Sequence, residues 1–202
     1  MTVQTKIGLR EIESAGEFNR SAKDGRWPML CDHTCTFTYA KHGELYALWH
    51  DLAGPGGVPY RRDFNPRRLQ PYMKSIVIYE RIKSEDGRTR YRVRLMGGAI
   101  TPVLGELTGR YLDEAVSDKY RPRWCAMIDA SLAAAAPLRM LSRSDSFDKA
   151  YLIGEYFCAP MRADDGATNL VLAAGHYEGT RSWTELAAKE CERLGLEPMG
   201  IV

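Results

Sequence analysis

The stretch Arg92–Glu114, RVRLMGGAITPVLGELTGRYLDE, decides the fold. It opens as a strand: Tyr91, Val93 and Leu95 read to one face, and Arg90, Arg92 and Arg94 to the other. The alternation stops at Gly97-Gly98. A short apolar, helix-like piece follows, and then Leu107-Thr108-Gly109. Two readings compete, a phosphate cradle and a strand-to-helix corner. A cradle needs a lysine in the glycine loop and a long helix whose N-terminus meets the anion. No lysine lies between Lys83 and Lys119, Pro102 interrupts the helix, and no G-x-G-x-x-G is present. The glycines therefore read as a corner where the chain turns off the sheet.

Working outward, MKSIVIYERI (from Met73) is a strand rich in β-branched residues. Asp86-Gly87 turns it into the strand that leads to the corner. Downstream, Ser117 or Asp118 can cap a long helix with Tyr120, Trp124, Met127, Ile128, Ser131, Leu132 and Ala135 in one stripe. Pro122 suits its first turn and Pro137 ends it. Three strands follow, LRMLSRS, AYLIGEYFCAPM and NLVLAAGHY, with Asp165-Gly166 turning the last hairpin and Ser142, Ser144, Asp145, Ser146 and Asp148 forming a polar loop before it. SWTELAAKECERLG closes as a helix, with Ser182 and Glu185 as a capping box and Gly195 as its stop.

Upstream, Leu45, Leu48, Trp49 and Leu52 mark a helix stopped by Gly54-Pro55-Gly56-Gly57. Residues 1–43 are polar and weakly patterned, except for the alternating Thr34–Tyr39, which reads as a short strand. The expected architecture is α+β: a five-stranded antiparallel sheet with helices on one face, plus N- and C-terminal helical extensions. The boundaries fall at 1–43, 44–178 and 179–202.

That element order is similar to the PAS sensory domain, and specific residues sharpen the resemblance. Arg92–Gly98 resembles the F/Y-R-x-x-G-T corner of a bacterial PAS family seen largely in alphaproteobacteria, with Ala99 where a threonine is usual. Gly105–Glu114 resembles its G-x-x-L-T-G-R-x-L-D-E signature. The helix LYALWHDLAG and the run Asp63, Pro66, Leu69, Pro71 resemble its upstream segment. The resemblance implies a non-catalytic sensory module that binds a small ligand or a signalling protein. It implies a shift in population between helix packings, reported by the helices at 44–53 and 182–195, whose apolar stripes also suit a homodimer. The expected cavity lining is Val93, Leu95, Ile100, Leu104, Trp124, Ile128, Leu170, Leu172 and His176, with His176 as the polar anchor.

Composition fits this. Net charge is +2, too near neutral to argue for nucleic acid, even though arginines alternate along 88–94 and cluster at 61–68. No apolar run is long enough to span a membrane, and the first residues lack the order of a secretory signal, so the expectation is a cytoplasmic protein. Five scattered cysteines read as reduced thiols. Cys31, His33 and Cys35 would share a face in a strand, with His42 or His50 to complete a zinc set, but a structural site wants four ligands and no metal is expected. No histidine lies in 117–136 for haem, the flavin-linked Asn-Cys-Arg-Phe-Leu is absent, Cys125 reads as packing, and no cofactor is expected. Two rivals stand beside the sensor. One is a small enzyme pairing His176 with Glu155 or Asp113; the other is a ligand-free interaction scaffold.

Overall fold

The structure, a computed structural model, describes residues 3–54, 57–144, 152–179 and 182–198. In chain order the elements are α1 (Val3–Asp24), β1 (Met29–Asp32), α2 (Ala40–Ala53), α3 (Pro66–Leu69), β2 (Ile76–Lys83), β3 (Thr89–Met96), α4 (Thr101–Leu104), α5 (Leu112–Ala115), α6 (Arg121–Ala134), β4 (Leu138–Arg143), β5 (Ile153–Arg162), β6 (Thr168–Glu178) and α7 (Trp183–Leu194). The strands form one antiparallel sheet in the order β1-β4-β5-β6-β2-β3. The fold is α+β, as expected.

Two details differ from expectation. The sheet has six strands, because β1 pairs with β4 (Cys31 opposite Met140). The strand read at Thr34–Tyr39 does not form. The Asp32 carboxylate accepts from both the backbone N–H and the hydroxyl of Thr34 at 2.7 Å, a local turn that competes with strand geometry. Cys35 then takes a left-handed φ of 52°. Cys31, His33 and Cys35 thus share no strand face, and the described residues hold no group of three His, Cys, Asp or Glu fit for a metal.

Helices also cover both faces of the sheet. On one face, α1 and α6 bury Phe18, Ile128 and Leu132 against Val77, Val93, Cys158 and Val171. On the other, α2 and α3 bury Leu45, Trp49 and Leu69 against Ile76, Ile78, Phe157 and Leu172. Trp49 Nε1 donates to the Pro160 carbonyl at 2.8 Å, which satisfies the indole where it is buried. The same face is continued by α7, which packs Trp183, Ala187 and Cys191 on Leu30, Leu141 and Ile153. The apolar stripes of α2 and α7, expected to join two copies, are spent inside the chain. Leu9 and Ile12 of α1 and Met73 are the large apolar side chains left exposed among the described residues. None of the described helices is long and apolar enough to cross a membrane.

The opening stretch is a corner, and close approach is its cause. A Cβ on Gly97 would sit 2.4 Å from the carbonyl oxygens of both Met73 and Lys74. With no side chain there, Gly97 N–H donates to Ile76 at 2.8 Å and Ala99 N–H to Lys74 at 2.8 Å, and the chain peels off β3 into α4. A Cβ on Gly98 would meet nothing.

Each outer edge of the sheet is met at one place by the chain itself. Beside β3, Val93 N–H donates to Arg110 at 2.9 Å and accepts from Gly109 at 2.7 Å through its carbonyl. Beside β1, the Asn19 carboxamide of α1 stands in for a neighbouring strand. Its Oδ1 accepts from Cys31 N–H at 2.7 Å and its Nδ2 donates to the Cys31 carbonyl at 2.9 Å.

Candidate functional site

A cavity of about 50 Å³ lies between α6 and the face of the sheet that α6 covers. Alternation builds its floor. On β6, Ala173, Gly175 and Tyr177 point one way; on β2, Val77 and Tyr79 do the same; β5 adds Tyr156. Trp124 and Met127 of α6, Ile100 and Leu104 around α4, and Met29 of β1 close it. Gly175 is small for a reason: a Cβ there would press on Ile100 Cδ1 at 3.2 Å and on the Tyr156 ring at 3.3 Å.

The polar end is built by β4 and β6. Ser142 Oγ donates to Tyr156 OH at 3.1 Å. The rings of Tyr156 and Tyr177 meet edge to face, with centroids 5.7 Å apart. Burial pushes both phenols up, so they stay protonated near neutral pH. Ser144 Oγ, Tyr177 OH and Arg143 Nε are buried without a hydrogen-bond partner among the described residues, and all three residues line the cavity. Arg123 lines it too, its guanidinium 4.6 Å over the Tyr120 ring.

Of the residues expected to line a cavity, Ile100, Leu104 and Trp124 do. Val93 and Ile128 are buried in the same core without lining it. Leu95, Leu170 and Leu172 lie on the opposite face, against α2 and α3. For Leu95 the reason is a register shift: Tyr79 faces Val93 but Ile78 faces Leu95, so a bulge at Arg94 turns Leu95 to the other side. For β6 the reason is burial on both faces, which leaves no polar side to mark the orientation. His176 shares the Leu172 face. It stacks on Tyr39 at 3.8 Å with an interplanar angle of 2°, and its Nε2 lies 3.3 Å from Glu178. The polar side chains at the cavity are Tyr156, Tyr177 and Ser142, which strand alternation places there, with Ser144 just beyond β4 and Arg123 from α6. Tyr177, one residue from His176, is the one sequence signal that could have found them.

A second cluster is buried on the face of α7. Arg139 of β4 is 1% exposed and Asp32 is 0% exposed, so their charges must be paired. Arg139 Nε donates to Glu155 at 2.9 Å, and its Nη1 reaches Glu190 of α7 at 3.1 Å and Asp32 at 3.2 Å. Arg193 of α7 closes the ring on Asp32 and Glu190. Glu155 also accepts from the backbone N–H groups of Thr38 and Tyr39, each at 2.9 Å, and stands 3.2 Å from His42 Nδ1. Burial alone would raise the Glu155 carboxyl, but His42 and the Thr38 and Tyr39 donors outweigh it and hold it well below the carboxylate range. Its oxygens are committed to these donors. Asp113, the other carboxylate considered as an acid–base partner, is held by Arg90 at the surface. The arginines of β3 are likewise taken: Arg92 and Arg94 pair with Glu80.

At four of the cysteines the surroundings disfavour the thiolate. Burial pushes Cys31, Cys35 and Cys158 up, and Cys125 up to about 11.

Compared with known proteins, residues 38–175 match a family model described as the PAS domain. No curated protein matches the sequence. Among solved structures, an RNA-binding light-oxygen-voltage receptor is similar at 15% identity and TM-score 0.39, over 69% of this chain and 41% of that one. The light state of the blue-light photoreceptor Aureochrome1 LOV follows at 14% and 0.38, covering 62% and 97%. A light-oxygen-voltage domain studied with a flavin analogue gives 14% and 0.37, covering 63% and 93%. These three likenesses are low, and the family rests on the sequence match.

Proposed function

This chain belongs to the PAS domain family, and from that premise we propose that it is a non-catalytic sensory module whose cavity beneath α6 takes a small ligand. One observation carries the reading. Two buried hydroxyls, Ser144 Oγ and Tyr177 OH, line an otherwise largely apolar cavity without a partner among the described residues. Buried polar groups are nearly always hydrogen-bonded, by protein, water or ligand.

The route from cavity to surface is short. Ser142, Arg143 and Ser144 at one end of β4 line the cavity, and Arg139 at the other end holds Glu190 of α7. Met29 lines it as well, in the strand that Asn19 of α1 clamps. A ligand that favours one position of β4 or β1 therefore favours one seating of α7 or α1, and those helices present the change to a signalling partner.

Native mass spectrometry of protein purified without denaturant tests this, beside a Leu104→Trp variant that fills the cavity. A small mass retained by the wild type and lost from a variant of unchanged melting temperature is the expected result. If neither protein retains a small molecule, and hydrogen exchange in α1 and α7 is insensitive to every ligand tried, the chain is a scaffold instead.

A further inference from the structure

We infer that the cavity takes a single-ring aromatic molecule bearing one hydroxyl or carbonyl, its ring laid between Tyr156 and Trp124 and its oxygen met by Ser144 and Tyr177. The inference rests on the reading that the cavity is a ligand site and adds the shape and chemistry of what enters.

The floor is shaped for a flat body. A Cβ on Gly154 would lie 2.5 Å from the Tyr156 hydroxyl oxygen and 2.6 Å from its Cζ, so the Tyr156 ring occupies the space above Gly154. On the neighbouring strand β6, a Cβ on Gly175 would meet Cδ1 and Cε1 of the same ring at 3.3 Å. Two glycines thus let the ring lie along the sheet, and Ser142 Oγ holds its hydroxyl there at 3.1 Å. Tyr156 lines the cavity from the sheet, and Trp124 lines it from α6 on the opposite wall. A saturated body would fill such a slot by volume alone. An aromatic one also gains from the ring quadrupoles on either side.

The polar end is made of hydroxyls. Ser144 N–H donates to the Leu152 carbonyl at 2.7 Å, which carries the β4–β5 ladder one residue past β4 and puts Ser144 on the face of Ser142. Tyr177 shares the face of Gly175, its ring edge to face with Tyr156. Ser144 Oγ and Tyr177 OH are buried without a partner among the described residues. A hydroxyl both donates and accepts, so one hydroxyl or carbonyl on the entering ring can satisfy them. Size sets the limit. A space of about 50 Å³ corresponds to roughly four waters at about 10–15 Å³ each, which suits one ring with one substituent.

Titration calorimetry on the full chain with phenol, and with cyclohexanol as its non-planar counterpart, tests the idea. Phenol is expected to bind at least about threefold more tightly, the worth of an aromatic pair beyond area burial. Tyr156→Leu should bring that ratio to about one, whereas Tyr156→Phe, which keeps the ring, should keep it. A purely structural role for Tyr156 would move both probes alike. Trp124→Leu should lower the ratio too, and stands in if Tyr156→Leu does not fold. Ser144→Ala and Tyr177→Phe should each weaken both probes by about fivefold, since both carry the hydroxyl. Equal affinity for the two probes in the wild type, or a ratio that neither Tyr156→Leu nor Trp124→Leu changes, overturns the aromatic assignment and leaves the cavity reading standing. No binding of either probe, with a Leu104-dependent mass still retained in native mass spectrometry, also overturns it alone. No binding and no retained mass overturns both.

Discussion

Arg139 and Glu190 meet at 3.1 Å across the boundary between the sheet and the last helix, both buried. Arg139 is the hub of the whole cluster, since Asp32 and Glu155 depend on it too. Arg139→Met should therefore destabilise the fold by about 3–5 kcal/mol, because it strands buried carboxylates. Urea denaturation checks the size.

Glu190→Gln should act more locally. Arg139 keeps Asp32 and Glu155, while α7 loses its charged hold on β4. Hydrogen exchange is expected to rise in 183–194 and stay slow in β5 and β6. Uniform acceleration across the sheet would mean that the pair supports the global fold and not the seating of α7.

Acid should find the same cluster. Glu155 has a folded-state pKa below its ordinary 4.5, so the unfolded chain takes up the proton first. Its contribution is fully present above that ordinary value and is lost as pH falls below it, toward the folded value. Asp32 adds in the same direction below its ordinary 3.8. Melting temperature should hold from pH 7 to about 5 and then fall, and Glu155→Gln, less stable at neutral pH, should fall less steeply. A parallel decline in the two proteins would remove Glu155 from the explanation.

The glycine pair offers a sharp contrast. Gly97→Ala puts a Cβ 2.4 Å from two backbone oxygens, and Gly98→Ala puts one in open space. The first should cost more than about 2 kcal/mol and the second less than about 0.5. Thermal unfolding of the two variants separates them.

Asn19→Ala removes both hydrogen bonds that close the β1 edge and leaves the Cys31 main chain buried and unpaired. It should cost about 1–3 kcal/mol, read in the same denaturation series.

Much of this fold was legible because local chemistry and tertiary structure agree. Asp86-Gly87 turns where expected, Gly87 with φ 80°. Pro122 opens α6, which stops before Pro137; Ala135, expected in the helix stripe, instead caps it left-handed. Ser182 accepts from Glu185 N–H, and Gly195 caps α7. The polar loop placed at Asp145, Ser146 and Asp148 lies outside the described residues. The site was harder to read. Its floor comes from strands buried on both faces, where the period-2 signal carries no direction, and a bulge at Arg94 reverses Leu95. The Arg139 cluster joins residues more than a hundred positions apart, such as Asp32 and Arg139, and nothing local marks such a partnership.

Asn19 has one last consequence. Because a carboxamide occupies the Cys31 border, and the 109–110 backbone the Val93 border, neither place offers an open row of main-chain groups to a stranger's strand. The sheet cannot be extended at those points by growth or by an added peptide while α1 stays docked. A partner that reads this molecule there must read side chains.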